Sequence, residues 1–293
     1  MEASVLTNVL LPLALAIVML GLGLGLTAED FRRVATMPKP VLVGLAVQTV
    51  LLPGVAFVLA KLFGLSPELA VGLMLLAASP GGATANIYSH LAKGDVALNI
   101  TLTATNSLLC LLTLPLILDL SLAHFMGAGN YVPPPVRKVV EVAVIILVPV
   151  LVGMALRRRA PAFAARMDRP VRAFSLLVLV GVIGAAVAQE WTRLPGYFAS
   201  VGLACLAFNL ASLWAGYALP LALRLPRRQA IAIAMEIGIH NGTLAIFIAL
   251  NVLGNSVISI PAVAYSLLMF VTAGVFAWRV KGADETPSGP AAG

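Results

Sequence analysis

Charge is what this sequence has least of. Asp, Glu, Lys and Arg make up 11% of its 293 residues, against about 25% in soluble domains. With 60% hydrophobic residues and a mean hydropathy of +1.01, that shortage excludes a soluble domain and reads as an integral membrane protein. Cysteine is nearly absent: Cys110 and Cys205 both lie in apolar runs, which excludes a disulfide framework and a Cys-type metal site. Histidine occurs only at His90, His124 and His240, so no His-Glu-x-x-His pair exists for a zinc protease. Asp95 and Asp119 fall at the ends of apolar segments, where an intramembrane aspartyl pair cannot form. No Gly-x-Ser-x-Gly elbow is present; a serine-histidine dyad on His240 leaves an intramembrane hydrolase as the rival reading from another class. The chain is therefore expected not to be an enzyme, and its modest basic excess carries no nucleic-acid signal. The apolar run from Val5 has no basic residue before it and is too long for a signal-peptide core, so it reads as a first span that is not cleaved.

What is present is length. Segments of roughly 20 apolar residues, enough to cross about 30 Å of hydrocarbon, can be drawn nine times, over residues 5–26, 41–63, 69–91, 96–118, 139–156, 173–189, 200–223, 229–253 and 257–278. Basic residues divide sharply between alternate loops. Fifteen of the nineteen fall on one side, including the run from Arg157 to Arg172, and only Lys61, Arg137, Lys138 and Arg193 on the other. By the positive-inside rule this predicts an outside N-terminus and a cytoplasmic C-terminus, in a plasma or inner membrane. The arginine run reads as a solvated inner loop rather than a lipid-binding patch. The loop at 121–136, with its triple proline Pro133–Pro135, reads as irregular. The tail from Gly282, rich in Gly, Ala and Pro, reads as disordered.

Two spans are interrupted. Ser79-Pro80-Gly81-Gly82-Ala83-Thr84-Ala85-Asn86 removes a backbone donor and permits unusual dihedrals. Met235-Glu236-Ile237-Gly238-Ile239-His240-Asn241-Gly242-Thr243 places a carboxylate and an imidazole at mid-depth, where a charge costs several kcal/mol and is functional by default. Each break lies in the penultimate helix of its half. Spans one to four and six to nine then read as inverted repeats around an unpaired fifth span, a transporter architecture with its site where half-helices meet. New half-helices beginning after each break favour an anion.

With Pro80-Gly81-Gly82, Asn86, the run Lys93-Gly94-Asp95-Val96-Ala97-Leu98, and Glu236-Ile237-Gly238 followed by Asn241 in view, the chain resembles the bile acid:sodium symporter family from Gly21 to about Leu253. It is similar to bacterial members, in a nine-helix form lacking their first helix. The resemblance implies an all-α fold with a core domain (residues 38–135 and 191–280), a panel domain (1–37 and 136–190), a cytoplasmic tail (281–293), and substrate in the cleft between core and panel. It implies sodium as coupling ion without an organic cofactor. A first sodium site would comprise Ala85, Asn86, Asn99, Thr103 and Glu236; a second, Gln48, Glu236, Ile237, Ile239 and His240.

Several positions depart from the family pattern. Ala85 and Asn99 stand where relatives carry serines; Asn99 offers an amide oxygen, Ala85 only its carbonyl. His240 stands where they carry glutamine, and imidazole, which ordinarily titrates near pH 6.5, replaces an oxygen with nitrogen. It can carry a proton in place of a sodium, making the chain proton-coupled through His240 and Glu236, or hold Glu236 by a hydrogen bond. On the substrate side, Ala83 replaces a threonine, Thr84 follows it, and Met269 and Phe270 replace a His-Asn pair, while Asn241 is retained as the best single contact. The expected activity is sodium-coupled symport of an organic anion, a bile-acid-like steroid or a small carboxylate, by alternating access, with membrane lipid as surroundings and no protein partner implied.

Overall fold

The computed structural model describes residues 11–82, 84–127, 136–189 and 194–282, and the structural statements below concern those residues. They are predominantly helical. In chain order the helices are α1 (Leu11–Gly25), α2 (Ala28–Thr36), α3 (Pro38–Leu62), α4 (Pro67–Ala78), α5 (Ala85–Leu91), α6 (Val96–Met126), α7 (Val136–Arg159), α8 (Pro161–Gln189), α9 (Leu194–Ala222), α10 (Arg227–Gly238), α11 (Gly242–Val252) and α12 (Ser256–Gly282). Five of them, α3, α6, α7, α9 and α12, are long and apolar enough to cross a membrane; α1 and α2, meeting at 63°, make a sixth if taken together. The other three expected spans fall on the interrupted pairs α4–α5 and α10–α11, whose halves are short, and on α8, which carries Arg166, Arg169 and Arg172 in its first half.

The run from Arg157 to Arg172 is not a loop. Helix α7 continues through Arg159, and α8 begins at Pro161. Arginine is a good helix former, and proline at a first helical position lacks only a donor that would be unused there, so the two helices extend beyond the apolar stretch and meet at Ala160. Helix α6 likewise runs eight residues past Leu118, to Met126. The triple proline, residues 1–10 at the start of the first span, Ala83, Arg193 and residues 283–293 of the tail lie outside the described residues.

Helix α1 lies along α7 and α8. Its contact with α7 depends on two glycines: a Cβ on Gly23 would collide with the backbone of Val150, and one on Gly153 with the backbone at Leu20 and Gly23, the close approach typical of membrane helices. The remaining helices form a second group in which α4 packs on α3, α6 and α12, and α10 on α9, α5 and α6. From Ala230 onward α10 is buried all round, as is α11 through Phe247, so the second interrupted helix is sheathed by protein rather than by lipid. Helix α3 widens to a π turn at Val47–Leu51, where Leu52 N–H bonds the Val47 carbonyl. Pro53 cannot donate to Thr49, and the one-residue slip absorbs that missing bond; it also sets where Gln48 points.

Candidate functional site

The two breaks meet. Helix α4 ends at Ala78 and α10 at Gly238, and the extended residues that follow run antiparallel, with Gly81 bridged to His240. Gly82 N–H donates to the Ile239 carbonyl at 2.8 Å, and Asn241 N–H to the Pro80 carbonyl at 2.9 Å. Each break thus supplies partners for backbone groups that the other has freed, as membrane depth requires. The Gly238 carbonyl accepts from Asn209 Nδ2 at 3.0 Å and from the Tyr265 hydroxyl at 2.9 Å. Asn209 therefore ties helices together, as its position suggests. Tyr265→Phe is expected to lower stability by about 1 kcal/mol, and Tyr265→Phe with Asn209→Ala by more than the sum of the single changes, since only the pair leaves the carbonyl unsatisfied; melting midpoints of the purified variants check this.

Glu236 stands two residues before the end of α10 and is fully buried. Its Oε2 accepts from Thr103 Oγ1 at 2.6 Å, while its Oε1 has no partner. One turn earlier on both helices, Asn99 Nδ2 donates to the Ala232 carbonyl at 2.7 Å. That bond turns the amide nitrogen toward α10 and leaves Asn99 Oδ1 unpartnered; Asn86 Oδ1 and Gln48 Oε1 are also buried without a partner. Gln48 Nε2 donates to the carbonyls of Ala77 at 3.2 Å and Ser79 at 2.9 Å. An unsatisfied buried acceptor costs about 1–3 kcal/mol, and here four recur on residues of one predicted set. Oxygens held without donors are what a hard cation needs. Of that set, Ala85 is buried with only a methyl side chain, and Ile237 and Ile239 are buried, with the Ile239 carbonyl engaged by Gly82. Among the described residues no three His, Cys, Asp or Glu side chains cluster as a transition-metal site would require.

Asn106 lies beside this group, and the family resemblance does not include it. It approaches the Glu236 carboxylate, neither of its amide atoms has a hydrogen bond, and with Gln48, Thr49 and Pro80 it lines a void of about 10 Å³. The signal was available: Asn99, Thr103 and Asn106 recur at helical spacing on one face of α6.

His240 does not hold Glu236. Its Nδ1 donates to the Ser79 carbonyl at 3.1 Å, its Nε2 has no partner, and the ring stacks on Phe208 and meets the edge of Tyr265. The imidazole is committed to the other break, because Ser79 at the end of α4 exposes a carbonyl just where it arrives. Nor does a serine-histidine dyad form there: Ser79 Oγ donates to the Leu75 carbonyl at 3.0 Å.

Four of the five expected substrate residues lie among the described residues. Ala83 is outside the described residues, and Thr84 precedes α5 without capping it. Asn241 caps α11, its Oδ1 accepting from Leu244 N–H at 3.0 Å, so part of its amide serves the half-helix. Met269 is buried, and Phe270 stacks on Tyr88 of α5. A cavity of about 290 Å³ lies instead where α1 faces α5 and α6, lined by Gly25, Leu26, Asn86, Ile87, His90, Val96 and Ile100. Of the expected site residues only Asn86 reaches it.

Residues 12–194 match the family described as the Sodium Bile acid symporter family. The chain is similar to the "P3 protein" of Mus musculus, 28% identical over 74% of this chain and 46% of that protein. It is also similar to the "Probable sodium/metabolite cotransporter BASS1, chloroplastic" of Arabidopsis thaliana, 27% identical over 87% of this chain and 63% of that protein. A third relative is the "Uncharacterized sodium-dependent transporter YocS" of Bacillus subtilis (strain 168), 26% identical over 76% of this chain and 68% of that protein. The chain thus spans from about half to about two thirds of the length of these relatives.

Proposed function

Since this chain belongs to the sodium bile acid symporter family, we propose that it is a secondary transporter in which an inward sodium gradient drives uptake of an organic anion. The observation that carries this reading is the set of buried oxygens without donors on Glu236, Asn86, Asn99 and Gln48 around the crossing breaks. Two of these relatives are named as a sodium/metabolite cotransporter and a sodium-dependent transporter. Hydrolase and proton-coupled readings gain nothing from the site, where His240 pairs with neither a serine hydroxyl nor Glu236.

In this reading the chain crosses the membrane nine times, counting each interrupted pair as one span, with the N-terminus outside and the C-terminus in the cytoplasm. Residues 1–37 and 136–190 form a panel, supported by the packing of α1 along α7 and α8; residues 38–135 and 191–280 form the core. Core moves against panel, and the cleft where α1 faces α5 and α6 receives substrate. Sodium acts as co-substrate. By occupying oxygens on α5, α6 and α10 it fixes the geometry of the half-helix α5, whose Asn86 lines the cleft, and this couples ion to anion.

The cleft's size and lining support the smaller class of anion. About 290 Å³ lies at the low end of pockets for drug-sized ligands, roughly 300–1,000 Å³, and its lining carries an amide and an imidazole but no carboxylate. In proteoliposomes under a sodium gradient, small monocarboxylates are expected to drive concentrative uptake and to compete with one another, with potassium unable to replace sodium. Stronger competition by steroid conjugates than by any small carboxylate would count against this assignment.

A further inference from the structure

Resting on the sodium-coupled reading above, we propose that this chain binds one sodium ion rather than two, and that His240 sets this number. The five positions of the second site do not fit a hard cation. A carbonyl can only accept, so the His240 nitrogen facing Ser79 O at 3.1 Å carries its hydrogen there and has no lone pair to offer. The same carbonyl accepts from Gln48 Nε2 at 2.9 Å, which occupies both of its lone pairs. The ring cannot turn to another role: it lies parallel to Phe208 at 5.7 Å and 18°, against the edge of Tyr265 at 5.3 Å, and is 1% exposed. Its one remaining lone pair, on Nε2, belongs to a nitrogen, where hard cations prefer oxygen. The Ile239 carbonyl gives one of its two lone pairs to Gly82 N–H at 2.8 Å. Among the side chains of the set only Gln48 Oε1 and one carboxylate oxygen remain free, and that carboxylate oxygen is needed by the first site, where Asn86 and Asn99 retain free amide oxygens.

Glutamine at this position would behave differently. Its amide has both a donor and an acceptor, so it can keep the bond to Ser79 with its nitrogen and turn its oxygen to an ion. Imidazole keeps the first function and gives up the second. His240 is therefore a residue that closes an ion position while holding the two breaks together, and with one sodium the carriage of a monovalent anion moves no net charge.

Equilibrium binding of radioactive sodium to the purified protein in detergent tests this. The wild type is expected to bind one ion per chain along a hyperbolic curve, with a Hill coefficient of about one, and Glu236→Gln to bind none. His240→Gln is expected to bind two ions per chain with a sigmoidal curve. Two ions on the wild type would overturn the inference while leaving sodium coupling intact; none on the wild type would overturn both. A folded His240→Gln that still binds one ion would remove His240 from the role, and if that variant fails to fold, the wild-type count alone decides the number.

Discussion

Glu236→Ala is expected to abolish sodium-dependent uptake and sodium binding while the protein still inserts and folds. The carboxylate is the one acidic group of the described residues buried at the crossing, and the unpartnered oxygens of Asn86 and Asn99, the other expected ligands, are neutral dipoles. Without it a cation would be taken out of water with no compensating charge, which costs about 3–5 kcal/mol when one member of a buried pair is removed and corresponds to a loss of affinity of over about a hundred-fold. The sign for the ion-free protein is opposite. Glu236 is buried with one oxygen unpartnered, so replacing it relieves a desolvation cost, and the variant measured in potassium should be as stable as the wild type or more so. That pair of results separates a ligand from a structural acid, whose loss would destabilise the protein in any salt. Melting midpoints in sodium and in potassium, with uptake in proteoliposomes, provide the check.

Gly81→Ala should be nearly as damaging, for a steric reason. A Cβ at Gly81 would fall on the Glu236 carboxylate, and the backbone cannot retreat. It is fixed by the antiparallel bridge to His240 and by the flanking bonds Gly82 N–H to Ile239 O and Asn241 N–H to Pro80 O. The methyl must displace the carboxylate from its place beside Thr103. Overpacking of this kind costs about 1–3 kcal/mol, and because the displaced group is the ion's charged ligand, sodium affinity should fall by at least about tenfold. Glu236→Asp in the same chain shortens the side chain and makes room, so the double variant should lose less than the sum of the two single changes. Strict additivity would contradict contact between Gly81 and the carboxylate.

How much of this was legible in the sequence depends on the range of the interaction concerned. Both breaks could be read, because proline, glycine and a buried acid are local signals. The resemblance named Glu236, Asn86, Asn99, Thr103 and Gln48, and four of these carry buried oxygens without donors. The arginine run was misread as a loop because hydropathy marks where the apolar stretch ends, not where a helix does. The partner of His240 was not legible for a different reason. Spacing places it one turn from Glu236, but the break intervenes, so the ring leaves that face and meets Ser79, 161 positions away in the chain. No local pattern carries such a pairing. Asn106 was missed although its spacing from Thr103 was visible, since an amide on a membrane helix is more often a tie between helices, and only its lack of partners distinguishes it. The lining of the cleft was not legible because it comes from α1, α5 and α6 together, and which faces meet is a tertiary fact.

The most direct test of the central claim, that the oxygens around Glu236 hold sodium, is the melting midpoint of the purified protein against sodium concentration, with potassium at equal ionic strength as control. A ligand that binds only the folded state raises stability in proportion to the logarithm of its concentration once the site fills, by about 2.7 kcal/mol at a hundred times its dissociation constant. The account predicts a sodium-specific rise that is absent in Glu236→Ala. Superimposable curves in sodium and potassium would contradict it.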